Sequence, residues 1–486
     1  MVNSIFTEVV IIGAGSAGLA AYRAARSHGK KVLMIEMGPY GTTCARVGCM
    51  PSKLLIAAAE AAHMVAIAPE FGVHAAPVRI DGREVMARVR RERDRFVGFV
   101  LDSIDRIPEA DKCHGQARFL SPHRLQVDDH TIIDAGQIVI ATGSQPQIPA
   151  LLAQLGKRLV TSDQIFDWQD LPESIAVVGT GVIGLEIGQA LHRLGVRVAF
   201  FGRSAQLAGI EDPAVLAAAQ EVLGAELDLH LEVELQSATC NGEGIALSWR
   251  EQDGSIRTEQ FAFVLAAAGR KPALEQLALA ASGLALDEQG IPLFDTDTMQ
   301  CGATPVFIAG DVTSERPLLH EAVDQGRIAG DNAGRYPDVR PGLRRAPLAI
   351  AFTEPQVAVI GGGFNAARAV CYATGEASFA NQGRSRVMLQ NHGLLHVYGE
   401  YGTGRFLGAE ICGPRAEHLA HLMAWALQNA LTVKVMLDMP FYHPVVEEGL
   451  RTALRALQDK LRDKPWEGLP GCNDEREHCG ESTPGI

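Results

Sequence analysis

Two cysteines near the N-terminus stand close together, in the run Cys44-Ala-Arg-Val-Gly-Cys49-Met-Pro-Ser-Lys53. Four intervening residues let one turn bring both sulfurs together, and Pro51 places Cys49 at the start of a predicted helical run over residues 53–62, where a thiolate is stabilised. A zinc site needs two further ligands at matching spacing, and the sequence contains no C-x-x-C pair that would supply them. The pattern predicts a redox-active pair and no metal, with two unrelated buried thiols as the alternative.

A glycine-rich pattern occurs twice, which predicts two dinucleotide sites. The first copy contains Gly13, Gly15 and Gly18, and it returns with Gly179, Gly181 and Gly184 at the same spacing. A β-branched strand pattern precedes each copy, and a helical pattern and a second strand follow, which is the context that the motif requires. Such glycines let the backbone approach a pyrophosphate, while the helix N-terminus supplies N–H groups. One copy alone could be a structural turn, but two in this context favour binding.

The two copies differ where a ribose-binding acid is expected. Glu36 stands 23 residues after Gly13 and fits that role, whereas the same offset from Gly179 reaches Gly202, followed by Arg203. An acid there is typical of NAD sites, and a nearby arginine can accommodate the extra phosphate of NADP. Against NADP, Arg203 is the one basic residue in residues 202–210, and Gly184 is typical of many NAD enzymes. NAD is slightly favoured and NADP stays open.

The run from Gly41-Thr-Thr-Cys44 to Pro51-Ser52-Lys53 resembles the redox-active segment of the pyridine nucleotide–disulfide oxidoreductases, which include dihydrolipoamide dehydrogenase, glutathione reductase and mercuric reductase. The resemblance covers nearly the whole chain. It implies that the first glycine motif binds FAD and the second a nicotinamide dinucleotide. It also implies that Cys49 touches the flavin and that Cys44 meets the substrate.

The same resemblance implies that Lys53 lies beside the flavin and pairs with Glu186. A cation there favours the anionic reduced flavin, and a carboxylate fixes its position, although two solvated surface charges are the alternative. Asp311 resembles the family's second FAD contact. Further FAD contacts are expected, with weaker support, at Thr43, Gly115, Thr142, Gly143 and His320, and nicotinamide contacts at Arg203, Gly269 and Arg270.

His443 is the acid/base candidate. A lone histidine is more often structural, but the run Phe441-Tyr-His443-Pro-Val-Val-Glu-Glu448 resembles the family's C-terminal signature, in which a glutamate five residues later orients the histidine. A carboxylate on one ring nitrogen fixes the tautomer and leaves the other nitrogen to take a thiol proton. In the family this histidine comes from the opposite subunit, so the resemblance implies a homodimer.

The resemblance implies that the substrate is a dithiol or disulfide, either a small molecule or protein-bound, and a lipoyl group is the favoured candidate. The Pro-Ser-Lys sequence after Cys49 resembles the dihydrolipoamide and mercuric enzymes, and His443 favours the former. Arg46, Phe441, Val445 and Glu447 depart from the usual pattern, which leaves open an NADPH-dependent reductase of another disulfide or of Hg(II). Cys472 and Cys479, beside His478, could relay electrons or bind a metal.

The expected fold class is α/β: two Rossmann-like domains, for FAD and NAD(P), with a C-terminal α+β dimerisation domain. We expect residues 1–150 plus 271–345 to form the FAD domain, 151–270 the NAD(P) domain, 346–466 the interface domain and 467–486 a disordered tail. The formal net charge of −13 opposes binding to nucleic acid or anionic lipid. Without a signal peptide or an apolar run of about 18 residues, the chain is expected to be cytoplasmic and free of membrane contact.

Overall fold

Runs of buried apolar residues form the central strands of two parallel sheets. The computed structural model describes residues 3–74, 76, 79–242 and 244–462. In the first sheet Val9, Val10 and Ile11 are fully buried, and in the second every residue of Ser174–Val178 is buried. Strands buried on both faces read as continuous apolar runs because helices cover both sides of a parallel sheet.

The first unit contains the first glycine motif and both redox cysteines. Its elements are β1 (Asn3–Ile12), α1 (Ser16–Ser27), β2 (Val32–Glu36), α2 (Thr43–Arg46), α3 (Cys49–Ile67), α4 (Gly82–Asp105), β3 (Lys112–His114), β4 (Ala117–Ser121), β5 (Arg124–Val127), β6 (Thr131–Ile140) and β7 (Ser144–Pro146). The strand order is β3-β2-β1-β6-β5-β4, with β1 parallel to β2 and β6.

The second unit repeats the strand–turn–helix arrangement. It consists of β8 (Leu159–Val160), α5 (Ser162–Ile165), β9 (Ser174–Val178), α6 (Val182–Arg193), β10 (Arg197–Phe201), α7 (Pro213–Glu226), β11 (Asp228–His230), β12 (Glu234–Cys240), β13 (Ile245–Arg250), β14 (Ile256–Phe261), β15 (Phe263–Ala266) and β16 (Arg270–Pro272). Strands β11-β10-β9-β15-β8 form its parallel sheet, and β12, β13 and β14 form an antiparallel layer.

The chain then returns to the first sheet. Strand β17 (Val306–Ile308) pairs with β6 in parallel, and α8 (Leu319–Arg335) packs on α1. The contact is close because α8 presents glycines: a Cβ at Gly326 would lie 2.2 Å from the carbonyl oxygen of Ala17. A side chain there would separate the two helices.

The C-terminal unit is an antiparallel sheet covered by helices. It contains β18 (Leu348–Ala351), β19 (Gln356–Ile360), α9 (Gly363–Ala367), β20 (Tyr372–Ser378), α10 (Gly383–Val387), β21 (Leu394–Glu400), β22 (Phe406–Gly413), α11 (Ala416–Gln428), α12 (Val433–Leu437) and α13 (Glu448–Arg462). The strand order is β18-β19-β22-β21-β20, with α11 and α13 packed on it. The architecture is the predicted α/β class with an α+β C-terminal unit, and the domain limits stay predictions.

The stretch that contains helix α3 is more apolar than the sequence analysis expected. The stretch Thr43–Phe71 includes an 18-residue window with mean hydropathy 1.5, so one described helix is long and apolar enough to cross a membrane by length and composition alone. The expectation that no apolar run approaches this length was wrong, because Glu60 and Glu70 are the charged residues in the apolar stretch that follows Lys53, and they do not lower its mean hydropathy enough. The absence of membrane contact stays a prediction.

Candidate active site

The two cysteines lie at the junction of two helices. Thr42 caps α2, since its Oγ1 accepts a hydrogen bond from the Ala45 amide at 3.3 Å, and Gly48 precedes Cys49, the first residue of α3. This turn brings the two thiols into hydrogen-bond contact. The predicted pair is therefore adjacent, with Cys49 at a helix N-terminus.

The environment makes the two thiols unequal. The hydrogen bond from Cys44 is the main cause that lowers the pKa of Cys49 to about 7, and the positive charge of Lys53 adds to it against the effect of burial. The same hydrogen bond, together with burial, raises the pKa of Cys44 well above its usual range. In the reduced pair Cys49 is thus the thiolate and Cys44 the thiol that donates to it.

Lys53 and Glu186 form an ion pair between the first two units. Lys53 Nζ lies 2.6 Å from Glu186 Oε2, and the Glu186 side chain is only 5% exposed. The other carboxylate oxygen accepts the backbone N–H of Phe352 at 2.9 Å, and Lys53 Nζ lies 4.6 Å from the centre of the Phe352 ring. Solvated surface charges are therefore ruled out for this pair, since the carboxylate is buried and fully engaged.

A cavity of about 240 Å³ opens beside the first glycine turn. Its walls include the predicted residues Gly13, Gly15, Glu36, Thr43, Gly115, Thr142 and Gly143. A Cβ at Gly13 would lie 2.3 Å from the Ala141 carbonyl oxygen and one at Gly18 1.9 Å from that of Gly13, whereas a Cβ at Gly15 would meet no atom within 4 Å. The outer glycines close the turn, and the middle one leaves the backbone open to a ligand.

The polar groups of this cavity fit a dinucleotide such as FAD. Glu36 accepts the amides of Ala14 and Gly38, each at 2.8 Å, which fixes its carboxylate at the end of β2. Thr142 Oγ1 is buried without a hydrogen-bond partner among the described residues. Because a buried hydroxyl without a partner costs free energy, a bound ligand that offers a polar atom would satisfy it.

The more distant FAD candidates lie in different surroundings. Asp311 begins the turn after β17 and accepts a hydrogen bond from Ser144 Oγ at 3.0 Å. Arg270, a nicotinamide candidate, donates to that same Ser144 Oγ at 2.8 Å and to its carbonyl at 2.7 Å, so it holds β7 beside β16. His320 is exposed near the start of α8 and is not part of the cavity wall. The roles of these residues stay predictions.

The second glycine turn has the same shape as the first. A Cβ at Gly179 would lie 2.3 Å from the Ala267 carbonyl oxygen and one at Gly184 2.1 Å from that of Gly179, while Gly181 faces open space. Beyond β10, Gly202 is buried and Arg203 is exposed, with no hydrogen-bond or ion-pair partner among residues 3–462 that the structure describes. Gly269 follows the sheet with φ +114° and accepts the Gln147 amide at 2.9 Å.

His443 lies on the surface of the C-terminal unit. Its Nδ1 is 3.0 Å from Glu448 Oε2, its side chain is 81% exposed, and no contact joins it to the cysteines of its own chain among the described residues. Glu448 also binds Arg451 at 3.0 Å. Burial opposes ionisation of Glu448, but hydrogen bonds from His443 and the Val445 amide outweigh it and hold the pKa of Glu448 below its usual range. The pair leaves Nε2 free for proton transfer.

Sequence reasoning missed the contacts that hold these groups in place. Phe352, 166 residues from Glu186, supplies an amide and a ring to the ion pair, and Ser144 joins Asp311 to Arg270. A backbone donor leaves no signal in side-chain patterns. Within the described residues no group of three or more His, Cys, Asp or Glu could hold a metal. Cys472, Cys479 and His478 lie outside the described residues.

Comparison with known proteins gives matches along nearly the whole chain. The profile described as "Pyridine nucleotide-disulphide oxidoreductase" matches residues 7–326, and that of the corresponding dimerisation domain matches residues 348–454. A mercuric reductase from Shigella flexneri is 30% identical over 471 residues, covering 94% of this chain and 81% of the relative. A dihydrolipoyl dehydrogenase from Bacillus subtilis is 28% identical over 458 residues, covering 92% and 97%.

Two solved structures share the fold. LpdA from Mycobacterium tuberculosis has a TM-score of 0.79 at 27% identity, over 92% of this chain and 99% of that one. The Cu(II) complex of the HOCl-induced flavoprotein disulfide reductase RclA from Escherichia coli has a TM-score of 0.79 at 22% identity, over 93% and 99%. The predicted fold class and the resemblance drawn from the cysteine segment are both confirmed.

Proposed function

Because the chain belongs to the pyridine nucleotide-disulphide oxidoreductase family, we propose that it oxidises dihydrolipoamide with NAD⁺ through Cys44 and Cys49. Family membership makes it a flavoprotein disulfide oxidoreductase that binds FAD and a nicotinamide dinucleotide. The observation that carries the finer proposal is the His443–Glu448 pair, a base whose free Nε2 suits a dithiol substrate. The bound FAD supplies a two-electron carrier between the thiols and the nicotinamide.

The chain's own groups account for thiol exchange. With the pair oxidised, His443 takes the proton of one substrate thiol, and the resulting thiolate attacks Cys44 Sγ. A bond forms between the substrate sulfur and Cys44, the bond between Cys44 and Cys49 breaks, and Cys49 leaves as a thiolate. The second substrate thiol then attacks the substrate sulfur of this mixed disulfide, and its proton passes to Cys44. The substrate has lost two electrons, and the cysteine pair has gained them.

The unequal pKa values support this division of roles. A sulfur leaves more easily as its conjugate thiol becomes more acidic, and Cys49 is the sulfur with the lowered pKa, about 7. Cys44, with a raised pKa, retains its proton at neutral pH. Lys53 stabilises the thiolate of Cys49, and Glu186 holds that cation in place at 2.6 Å.

The base would act on the cysteines of a second subunit. His443 is 81% exposed and lies on the C-terminal unit, whose sequence matches a dimerisation domain. Large apolar side chains are also exposed on this unit, among them Trp425 at 66% and Tyr442 at 80%. Exposed apolar surface of this kind favours association. A homodimer would cover it and complete the site.

Turnover with dihydrolipoamide tests the proposal. The holoenzyme should reduce NAD⁺ when dihydrolipoamide is the donor, and the rate with NADP⁺ in parallel ranks the two nicotinamides. Cys44→Ser should abolish turnover while the flavin stays bound, because the substrate then has no disulfide to attack. His443→Gln should lower kcat by about 10²- to 10⁴-fold. Cys240→Ser is the matched control, since Cys240 is an exposed thiol on β12.

Two outcomes would contradict the proposal. Full turnover by Cys44→Ser would exclude the disulfide route altogether. Negligible turnover by the wild type with both nicotinamides, in protein that retains FAD, would exclude dihydrolipoamide and point to another disulfide. The flavin absorbance of each preparation separates these results from simple loss of cofactor.

Reduction of Hg(II) is the second candidate, because several relatives at 28–30% identity are mercuric reductases. Oxidation of NADPH that depends on added Hg(II), and that Cys472→Ser or Cys479→Ser removes, would favour it. In that case His443→Gln should leave the Hg(II)-dependent rate unchanged, since no thiol proton has to be transferred. The same variant therefore separates the two candidates.

A further inference from the structure

Arg46 lies between the two cysteines in the sequence, yet its positive charge is not the one that stabilises their thiolates. It is the last residue of α2, and its Nη1 donates to the Pro39 carbonyl oxygen at 3.3 Å. The cation that lowers the pKa of both thiols is Lys53. Arg46 belongs instead to the residues that line the cavity beside the first glycine turn.

The backbone makes room for this side chain. Gly41 adopts φ +122°, and a Cβ at that position would lie 2.9 Å from Arg46 Cδ and 3.2 Å from Arg46 Cγ. The aliphatic stem of Arg46 therefore rests on a glycine, in a backbone conformation that other residues rarely adopt. This packing directs the stem along the loop that follows β2, toward Pro39.

The charge balance of the cavity leaves Arg46 without a counter-ion. Arg46 is the basic residue of this wall as far as the structure describes it, and the acidic ones are Glu36 and Glu275. Glu36 is engaged by two backbone amides, and Glu275 pairs with Lys271 at 2.6 Å. In the described part of the chain no carboxylate lies within 4.0 Å of Arg46 as an ion-pair partner. A cation so placed is ready for an anion that enters the cavity.

We propose that Arg46 binds the diphosphate of FAD, together with the backbone N–H groups at the N-terminus of α1. The inference rests on the FAD binding of the proposed function and does not require the dithiol reaction. A helix N-terminus supplies N–H groups and partial positive charge, while a guanidinium supplies a full charge and a fork that matches two phosphate oxygens. Arg46 thus adds a phosphate contact that lies outside the glycine motif.

The experiment measures release of FAD from the full-length holoenzyme, followed by the fluorescence of free flavin after dilution. Arg46→Gln keeps much of the stem on Gly41 and removes the charge, and we expect it to release FAD about tenfold faster. Arg46→Lys keeps the positive charge but not the two-pronged guanidinium, so its rate of FAD release should lie between those of the wild type and Arg46→Gln. Arg95→Gln removes the same charge from an exposed site on α4, where the side chain is 70% exposed, and should match the wild type.

Displacement by ADP and by adenosine identifies the phosphate as the partner. ADP carries the diphosphate and adenosine lacks it, so the wild type should prefer ADP, and Arg46→Gln should reduce that preference about tenfold. An unchanged ratio would overturn the proposal, even if FAD release became faster, because a general loosening of the site affects both ligands alike. An unchanged release rate would overturn it as well. FAD release and ADP displacement involve no dithiol turnover, so the two proposals can fail separately.

Discussion

The two glycine turns have the same backbone shape and different surroundings. In each, the first and third glycines lie against a backbone carbonyl, at 2.3 and 1.9 Å for Gly13 and Gly18 and at 2.3 and 2.1 Å for Gly179 and Gly184, measured from an added Cβ. In each, the middle glycine faces open space. The shape follows from strand, turn and helix packing, which both units share.

The surroundings differ at the end of the second strand of each unit. In the first, Glu36 is held by the amides of Ala14 and Gly38. In the second, Gly202 lies at the matching place, its amide donates to the His230 carbonyl at 2.8 Å, and the exposed Arg203 follows. The comparison teaches that the turn provides a general site for a pyrophosphate, whereas the end of the second strand distinguishes one dinucleotide from another.

The largest expected effect comes from filling the shared turn. Gly18→Ala and Gly184→Ala each force a methyl group onto a carbonyl oxygen, and overpacking of this kind costs roughly 1–3 kcal/mol or more. Gly18→Ala should lose FAD, while Gly184→Ala should keep FAD and bind the nicotinamide up to about 100-fold more weakly. Flavin absorbance and a titration with NAD⁺ measure the two effects.

Gly224→Ala is the control for this pair, because a Cβ at Gly224, on α7, meets no atom within 4 Å. It should leave both affinities unchanged. If Gly184→Ala also lost its flavin, the two turns could not be treated as independent sites, and the comparison between them would fail.

The next largest effect is expected at Glu36, the acid whose counterpart in the second unit is Gly202. Glu36→Ala removes the carboxylate that engages the two amides, and we expect FAD to be released about tenfold faster from the holoenzyme. Glu109→Ala, at an exposed acid whose side chain is 90% exposed, controls for the loss of one negative charge. Equal release rates for the wild type and Glu36→Ala would mean that the first unit binds its dinucleotide without the acid, as the second must.

Local features of the site could be predicted from the sequence, and long-range ones could not. The six motif glycines and Cys44 and Cys49 are determined by spacings of a few residues, so their placement followed from the pattern alone. Glu36 was found because its distance from Gly13 reflects one strand–helix–strand repeat. The hydrogen bond from the Phe352 amide to Glu186 joins residues that are 166 positions apart in the sequence. A backbone donor of this kind leaves no pattern in the side chains.

Length and end points were harder to predict than the existence of an element. Helix α11 ends at Gln428, because the Asn429 amide closes the last turn on the Trp425 carbonyl and Ala430 is left-handed at φ +49°. No rule of composition anticipates an alanine in that conformation. The apolar length of α3 was underestimated for a different reason, because the charged residues in this stretch are few and widely spaced.

The third effect concerns Lys53, which crosses from the first unit to the second. In the reduced enzyme Cys49 is protonated below its pKa of about 7 and a thiolate above it, so its alkylation by iodoacetamide should rise as pH increases through about 7. Lys53→Met removes the cation that stabilises the thiolate, so the midpoint should move upward by about one pH unit. Mass spectrometry assigns the label to Cys49.

Lys434→Met, an exposed lysine on α12, should leave that midpoint in place. A midpoint near 7 in Lys53→Met as well would mean that the hydrogen bond from Cys44 suffices to stabilise the thiolate. The ion pair with Glu186 would then serve the packing of the two units and not the acidity of the thiol.

The smallest effect is expected at Arg203, and it decides how far the two units differ. Arg203 is exposed and, among the described residues, has no acidic partner, so any contact with a 2′-phosphate is solvated and contributes about 0.5–1 kcal/mol. Arg203→Ala should therefore lower kcat/KM for NADP⁺ relative to NAD⁺ by about two- to fivefold. Arg257→Ala, on β14 with a side chain that is 63% exposed, is the control. If Arg203→Ala leaves the ratio of kcat/KM for NADP⁺ to that for NAD⁺ unchanged, Arg203 does not bind the 2′-phosphate. The second dinucleotide site would then differ from the first only by lacking an acid at the position of Glu36.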